Sequence, residues 1–172
     1  SGREAPARCS DEYVRRTFDL FAASFDRVLT AIRYAGVDRS AVALAAAVGM
    51  PDGYAGELPV CYVALRPGAT VTVAELREHA EREIAERPAW PKHIHIVEAI
   101  PLTSVGKIYK PQLRCDAATR LVTRIVHEQL HLPDARVQVR EGGRRGMQVT
   151  VTLPPASRLS VPVVEQALAA YL

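Results

Sequence analysis

Cysteine is scarce in this chain of 172 residues, and its three copies, at positions 9, 61 and 115, are widely separated. A disulfide framework or a structural zinc site needs paired cysteines at short spacings, which these positions do not offer. The sequence therefore predicts neither kind of site. It favours a reducing compartment, and we expect a cytoplasmic protein.

Long apolar runs and runs of one charge are also missing. The apolar stretch at 41–50 stops at Pro51, well short of the ~20 residues that a membrane span requires. The densest basic stretch, 140–145, has three arginines interrupted by Glu141 and two glycines, with no aromatic side chain to stack on a base. We expect no membrane span and no nucleic-acid partner, and we interpret 140–145 as a solvated turn.

What is present is the composition of an ordinary globular protein. Hydrophobic residues make up 48% of the chain, enough for a core, and the net charge of +3 is spread along the sequence. The length suits one domain, or a domain of about 100 to 150 residues with an appendage. Ser1 and Gly2 resemble the remnant of a cleaved expression tag, so they are left out of the fold prediction.

The first periodic segment spans residues 11–34, where apolar side chains recur three and four positions apart, as on one face of a helix. They are Val14, Phe18, Phe21, Phe25, Val28, Leu29 and Ile32. The pattern predicts an amphipathic helix with Gly36 as its C-terminal cap. Its phenylalanines need a partner surface, so this helix either packs on its own domain or forms a homodimer contact.

The next segment reads as strand, strand, helix, strand. A continuous apolar run at 42–48 predicts a strand buried on both faces, and alternation at 59–66 predicts a second strand. A Thr-x-x-Glu capping box opens a helix over 72–85, and 93–97 reads as a third strand.

The tail predicts a helix over 116–130, strands at 137–140 and 147–153, and a helix over 161–172. The expected fold class is therefore an α/β (α+β) sandwich, with a small mixed or antiparallel sheet backed by helices. An N-terminal amphipathic helix and a C-terminal α-β-β-α extension complete it.

A polar loop at 100–114 places Gly106 before Lys107 and leads into a helix that starts near Pro111, a residue suited to a first helical turn. Taken alone, a Gly-Lys pair is typical of a surface turn with a solvated lysine. The surrounding sequence changes this interpretation, because the pair belongs to a longer pattern. That pattern includes Pro101, Thr103, Gly106, Lys107, Ile108, Leu113 and Arg114.

A family resemblance lies in three segments: AAAVGMPD at 45–52 followed by Gly56 and Glu57, VCYVALRPG at 60–68, and PLTSVGKIYKPQLR at 101–114. In this order they resemble the C-terminal lid domain of the superfamily of acyl-CoA synthetases, adenylation domains of peptide synthetases and luciferases, above all bacterial acyl-CoA synthetases. The resemblance implies a lid domain at 41–114. Residues 1–40 would be a tag remnant and a helix in place of the usual hinge, and 115–172 an extension packed on the lid.

The resemblance also implies a role for Lys107, as the lysine that reaches into the active site of a large N-terminal adenylation domain. There it would stabilise the attack of a carboxylate on the α-phosphorus of ATP, which releases pyrophosphate and leaves an acyl-adenylate. ATP with Mg²⁺ and CoA would be bound mainly by the large domain, and none of them tightly by this chain. The substrate would be a small carboxylic or fatty acid, and the isolated chain would be inactive.

Further residues fall at family positions. Thr103, Gly106 and Ile108 would support the lysine loop. Four others, which are Gly49, Asp52, Gly56 and Glu57, are interpreted as shaping the turn between the first two strands, with contact to the large domain or to CoA as the alternative. No metal site is predicted, because the histidine pairs at 93/95 and 127/131 lack a third ligand and read as ordinary sheet and surface residues. Trp90 reads as a packing anchor.

The sequence departs from the family near residues 15–30. The family has a hinge and a glycine-bearing loop there, which serves thioester formation on CoA, whereas this chain has no glycine between Gly2 and Gly36. Thioester formation is therefore not predicted from this chain. A stand-alone, non-catalytic module that kept the lid fold and acts in dimerisation or regulation is the alternative function.

Overall fold

The computed structural model describes residues 41–85, 87–143, 146–155 and 161–171. The helix predicted over 11–34, its possible dimer contact and Cys9 lie outside these residues. None of the helices in the described ranges combines the length and the apolar composition that a membrane span needs.

Three strands form a mixed sheet in the order β1-β2-β3. Strand β1 (Val42–Asp52) pairs antiparallel with β2 (Gly56–Leu65), and β2 pairs parallel with β3 (His93–Val97). The three predicted strands are confirmed, but the predicted end of β1 at residue 48 was wrong. The strand continues through Pro51, which pairs with Glu57. A proline is tolerated there because β1 is an edge strand, where a missing N–H need not break the sheet.

One face of the sheet is covered by helix α1 (Val73–Glu83), which connects β2 to β3. The predicted capping box is present, since Thr72 Oγ1 accepts the N–H of Glu75 and the Glu75 carboxylate accepts the N–H of Thr72 at 2.8 Å. Apolar side chains of both layers form one cluster, whose buried members include Ala45, Cys61, Val63, Leu76, Ala80 and Ile94. Trp90 packs against this cluster and its indole N–H donates to Ile84 O at 2.8 Å, which confirms its role as an anchor.

The other face is covered by helix α2 (Lys110–Arg124), which continues through one π-helical turn (Ile125–Gln129). Two separate helices, one near Pro111 and one starting at Asp116, were predicted here, and that prediction was wrong. The buried side chains of this helix follow one another at three- and four-residue spacing without a break. They include Leu113, Ala117, Leu121, Val122 and Ile125. The 114/115 boundary expected between lid and extension therefore lies inside a helix.

The tail adds an antiparallel hairpin of β4 (Arg136–Glu141) and β5 (Met147–Thr152), followed by helix α3 (Val161–Leu168). Both predicted strands are confirmed, and their apolar face packs against the cluster that α2 forms with the sheet. Buried tail residues of that cluster include Leu132, Ala135, Val164 and Leu168. The sheet, α2 and the tail thus share one core, and the α+β sandwich class is confirmed.

Candidate functional site

The lysine loop, residues 101–109, is a tight hairpin. Leu102 pairs antiparallel with Ile108, and the N–H of Thr103 donates to Lys107 O at 2.7 Å. Within that pair, the N–H of Gly106 donates to Thr103 O at 2.9 Å and closes a four-residue turn. Outside it, the N–H of Tyr109 donates to Pro101 O at 2.8 Å. The loop is therefore ordered by its own backbone on both sides of the lysine.

Gly106 adopts a φ of +77°, in the left-handed region. Hairpin loops of this length place a left-handed residue, usually glycine, after the turn. A Cβ at this position would meet no heavy atom within 4 Å in the described parts of the chain. Glycine is thus required here by backbone conformation and not by crowding within the chain.

Thr103 and Ile108 hold the two ends of the turn. The Thr103 Oγ1 accepts the backbone N–H of Lys107 at 3.1 Å. Ile108 is half-buried and packs against the core cluster under α2. The backbone of Lys107 is therefore fixed between a side-chain hydrogen bond and a core contact.

The Lys107 side chain itself is exposed, and within the described ranges no hydrogen bond or ion pair engages its ammonium group. Two apolar neighbours on the same loop are exposed as well, Leu102 at 52% and Val105 at 76%. Contiguous exposed apolar patches mark surfaces that another molecule covers. The loop thus presents an exposed cation and two exposed apolar side chains.

The turn between β1 and β2 is shaped by Asp52 and Gly56. The Asp52 Oδ1 accepts the backbone N–H groups of Tyr54 at 3.0 Å and of Ala55 at 2.8 Å. Gly56 follows with a φ of +80°. An aspartate that bonds the backbone two and three residues on stabilises a turn by itself. This geometry supports the turn-shaping interpretation of both residues.

Gly49 and Glu57 act as a pair, because the Glu57 carboxylate lies over the Gly49 backbone. A Cβ at Gly49 would overlap that carboxylate. The Oε2 atom of Glu57 is buried without a hydrogen-bond partner in the described structure. Burial raises the pKa of the Glu57 carboxyl above its ordinary value of 4.5, and the positive charge of Arg114 on α2 offsets part of this rise. Among the described residues, no hydrogen bond or ion pair joins this carboxylate to Lys107.

A Glu57→Gln variant should gain stability relative to the wild type as the pH rises. The raised pKa means that the folded state binds this proton more tightly than the unfolded state. The wild-type contribution is therefore fully present below the unfolded value of 4.5 and declines as the pH rises through the raised folded value. Glutamine has no such proton to lose, so its contribution to stability does not decline over this pH range. Urea unfolding of both proteins between pH 4 and pH 8 measures the difference, and a pH-independent difference would contradict the prediction.

A polar cluster that sequence reasoning missed joins the sheet to α2. The Tyr62 hydroxyl donates to Asp116 Oδ2 at 2.7 Å, and Arg120 Nε donates to the same oxygen at 2.6 Å. Arg120 and Asp116 are four apart on a helix, a spacing that could have predicted their pairing. Tyr62 and Asp116 are separated by 54 residues, and no local pattern connects them.

The two histidines of β3 are half-buried sheet residues, as the sequence predicted, whereas the two near the end of α2 lie in different surroundings. His93 and His95 are half-buried on one strand face with their rings parallel and 6.2 Å apart, and burial, followed by nearby arginines, lowers the pKa of both. His127 donates to Ala135 O at 2.8 Å, whereas His131 lies beyond the helical turn at a φ of 55°. Their spacing of four residues would place them on one helix face, but the helix ends between them.

A second contact that the sequence did not predict links the lysine loop to the hairpin. The Tyr109 hydroxyl donates to Glu141 Oε2 at 2.7 Å, across 32 residues. This bond raises the pKa of the Tyr109 hydroxyl. The extension therefore contacts the lysine loop directly.

Part of this chain is similar to known proteins. Residues 36–107 match the family model described as the AMP-binding enzyme C-terminal domain. Marinolic acid–CoA ligase of Pseudoalteromonas sp. (strain SANK 73390) is 46% identical over 90 residues, which are 52% of this chain and 14% of that protein. Acetyl-coenzyme A synthetase of Deinococcus radiodurans is 42% identical over 106 residues, 61% of this chain and 16% of that protein.

Among solved structures, an acyl-CoA synthetase of Brucella canis is 30% identical with a TM-score of 0.48, over 56% of this chain and 18% of that one. The chain thus spans less than a fifth of each of these three proteins. The matched segment contains the three strands of the mixed sheet, α1 and the lysine loop up to Lys107 itself. Over residues 36–107, this chain therefore matches the C-terminal domain of AMP-binding enzymes.

Proposed function

We propose that this chain is the C-terminal lid of an AMP-forming acyl-CoA synthetase and that it supplies Lys107 to the adenylation step. The observation that carries the proposal is the exposed ammonium group of Lys107 on an internally ordered hairpin. Its backbone is fixed by Thr103 and Ile108, while its side chain extends into solvent. Such a loop can deliver a charge to a site on another body.

The chemistry needs a cation of this kind. A substrate carboxylate attacks the α-phosphorus of ATP, a P–O bond forms, the bond to pyrophosphate breaks, and an acyl-adenylate remains. Two anions must approach each other, and negative charge accumulates on the phosphoryl oxygens. A lysine with three donors on a flexible stem can bond a carboxylate oxygen and a phosphate oxygen together. In a site from which water is excluded, its attraction is much stronger than in bulk solvent.

The partner would be the large N-terminal adenylation domain. Leu102 and Val105 would be covered when that domain docks, which accounts for their exposure beside the lysine. Lys107 alone suits a charge-neutralising contact and not a complete nucleotide site. ATP with Mg²⁺, CoA and a small carboxylic or fatty acid are therefore proposed to bind mainly to the large domain.

Residues 41–114 would form the lid proper and 115–172 an extension packed on it, with α2 common to both. Lys107 would be the catalytic residue, and Thr103, Gly106 and Ile108 would support its loop. Gly49, Asp52, Gly56 and Glu57 lie at or beside the β1–β2 turn. Their proposed role is to shape this turn, and a contact with the large domain or with CoA is the alternative.

The function is tested by adding the chain to the purified large domain of a matching acyl-CoA synthetase and following pyrophosphate release. Adenylation should appear with both proteins present and be absent with this chain alone. A chain that binds no large domain and instead sediments as a stable dimer would contradict the proposal. That result would favour the non-catalytic, dimerising module.

A further inference from the structure

The bond between Tyr109 and Glu141 lies close to the catalytic group in the chain. Tyr109 follows Lys107 by two residues in an extended segment, where successive side chains point to opposite sides. Ile108, between them, packs on the core. Tyr109 and Lys107 therefore share the face that points away from the core, and the Glu141 carboxylate lies on that face.

Glu141 is itself held by an anchored element. It is the last residue of β4 and pairs with Met147 of β5. Val137, Val149 and Val151 of this hairpin pack against the core under α2. The carboxylate is thus attached to a packed hairpin and not to a free loop. A hydrogen bond to it restrains the segment that carries the lysine.

We infer that Glu141 is a positioning residue for Lys107, acting through the Tyr109 hydroxyl. The inference rests on the proposed function, because it assigns to the extension a task in adenylation. The match to the family model ends at Lys107. Glu141 lies 34 residues further along the chain (141 − 107 = 34). The restraint is therefore supplied by the segment outside the matched domain. A shift of about 1 Å in a catalytic group can cost about 100-fold in rate, so restraining its backbone has a chemical consequence.

Three variants of the full chain separate the bond from the charge. Glu141→Ala and Tyr109→Phe each remove the hydrogen bond, whereas Glu141→Gln keeps a neutral acceptor. Tyr62→Phe is the matched control, because it removes another tyrosine–carboxylate bond of 2.7 Å, to Asp116, away from the loop.

The first readout is hydrogen exchange of the Thr103 and Lys107 amides, whose bonds close the loop. Exchange should become roughly threefold to tenfold faster in Glu141→Ala and Tyr109→Phe, and stay near wild type in Glu141→Gln and Tyr62→Phe. Unchanged loop exchange in both bond-removing variants would overturn the inference. Equal acceleration in Glu141→Gln would attribute the effect to charge and overturn it as well.

The second readout is pyrophosphate release after the large domain is added. Glu141→Ala and Tyr109→Phe should each lower kcat by about tenfold with little change in the KM for ATP, and the double variant should lose no more than either single one. If Lys107→Ala abolishes pyrophosphate release but Glu141→Ala keeps the full kcat, the positioning role alone is overturned. Full activity of Lys107→Ala would overturn the proposed function, and the positioning role with it.

Discussion

Lys107→Ala should lower acyl-adenylate formation in the assembled ligase by about 10²- to 10³-fold. In the proposed function the ammonium group is the charge that the loop delivers. No second cation of the loop can replace it, since Lys107 is the only lysine or arginine between residues 100 and 109. The side chain is exposed, so its removal should change the free energy of unfolding by less than about 0.5 kcal/mol. Pyrophosphate release and urea unfolding measure the two effects separately.

Lys110→Ala is the matched control for this experiment. Lys110 is an exposed lysine three residues further along and begins α2. We expect this variant to retain adenylation. Lys107→Arg should recover only part of the rate, because a planar guanidinium cannot reproduce the geometry of a compact ammonium group. If Lys107→Ala and Lys110→Ala reduce the rate equally, the effect belongs to the charge of the surface and not to this residue.

Leu121→Ala should destabilise the whole chain by about 2 to 5 kcal/mol. Leu121 is 3% exposed and lies on α2, in the cluster that joins the sheet to the tail. Truncation leaves a cavity that both parts share, so the sheet and the hairpin should lose stability together. Urea unfolding followed by far-UV circular dichroism and by Trp90 fluorescence checks this, because Trp90 packs on the opposite face of the sheet.

Leu102→Ala is the control, because it makes the same substitution at a side chain that is 52% exposed. It should lower the free energy of unfolding by less than about 0.5 kcal/mol. The two probes should report coincident transitions in the wild type and in both variants. Separate transitions would show that 115–172 is an independent folding unit. If Leu121→Ala lowers the free energy of unfolding as little as Leu102→Ala does, the shared core is contradicted.

The local features of the fold could be predicted because their causes are local. The capping box of α1 needs only Thr72 and Glu75, three residues apart. The continuous apolar run of β1 follows from helices on both faces of the sheet, and it predicted the buried strand. The errors arose where the conformation of a residue depends on which element lies beside it. Pro51 reads as the end of a strand until β1 is known to be an edge.

The candidate site divides in the same way. The motif around Gly106 and Lys107 predicts a tight loop with an exposed lysine, since a left-handed glycine and a side-chain bond from Thr103 act within five residues. No pattern predicts the Glu57 carboxylate over Gly49 without a hydrogen-bond partner. The packing of α2 on the sheet brings Arg114 near it.

Apart from the end of β1 and the division of the helix at 110–129, the sequence by itself determined which segments of the described chain form helices and strands. It also determined which lysine is presented on a tight turn, because propensity, periodicity and turn chemistry act between near neighbours. Only the tertiary structure decided that Tyr62 meets Asp116 and that Tyr109 meets Glu141. Those pairs are 54 and 32 residues apart, and their contact exists only after α2 and the hairpin have packed on a common core.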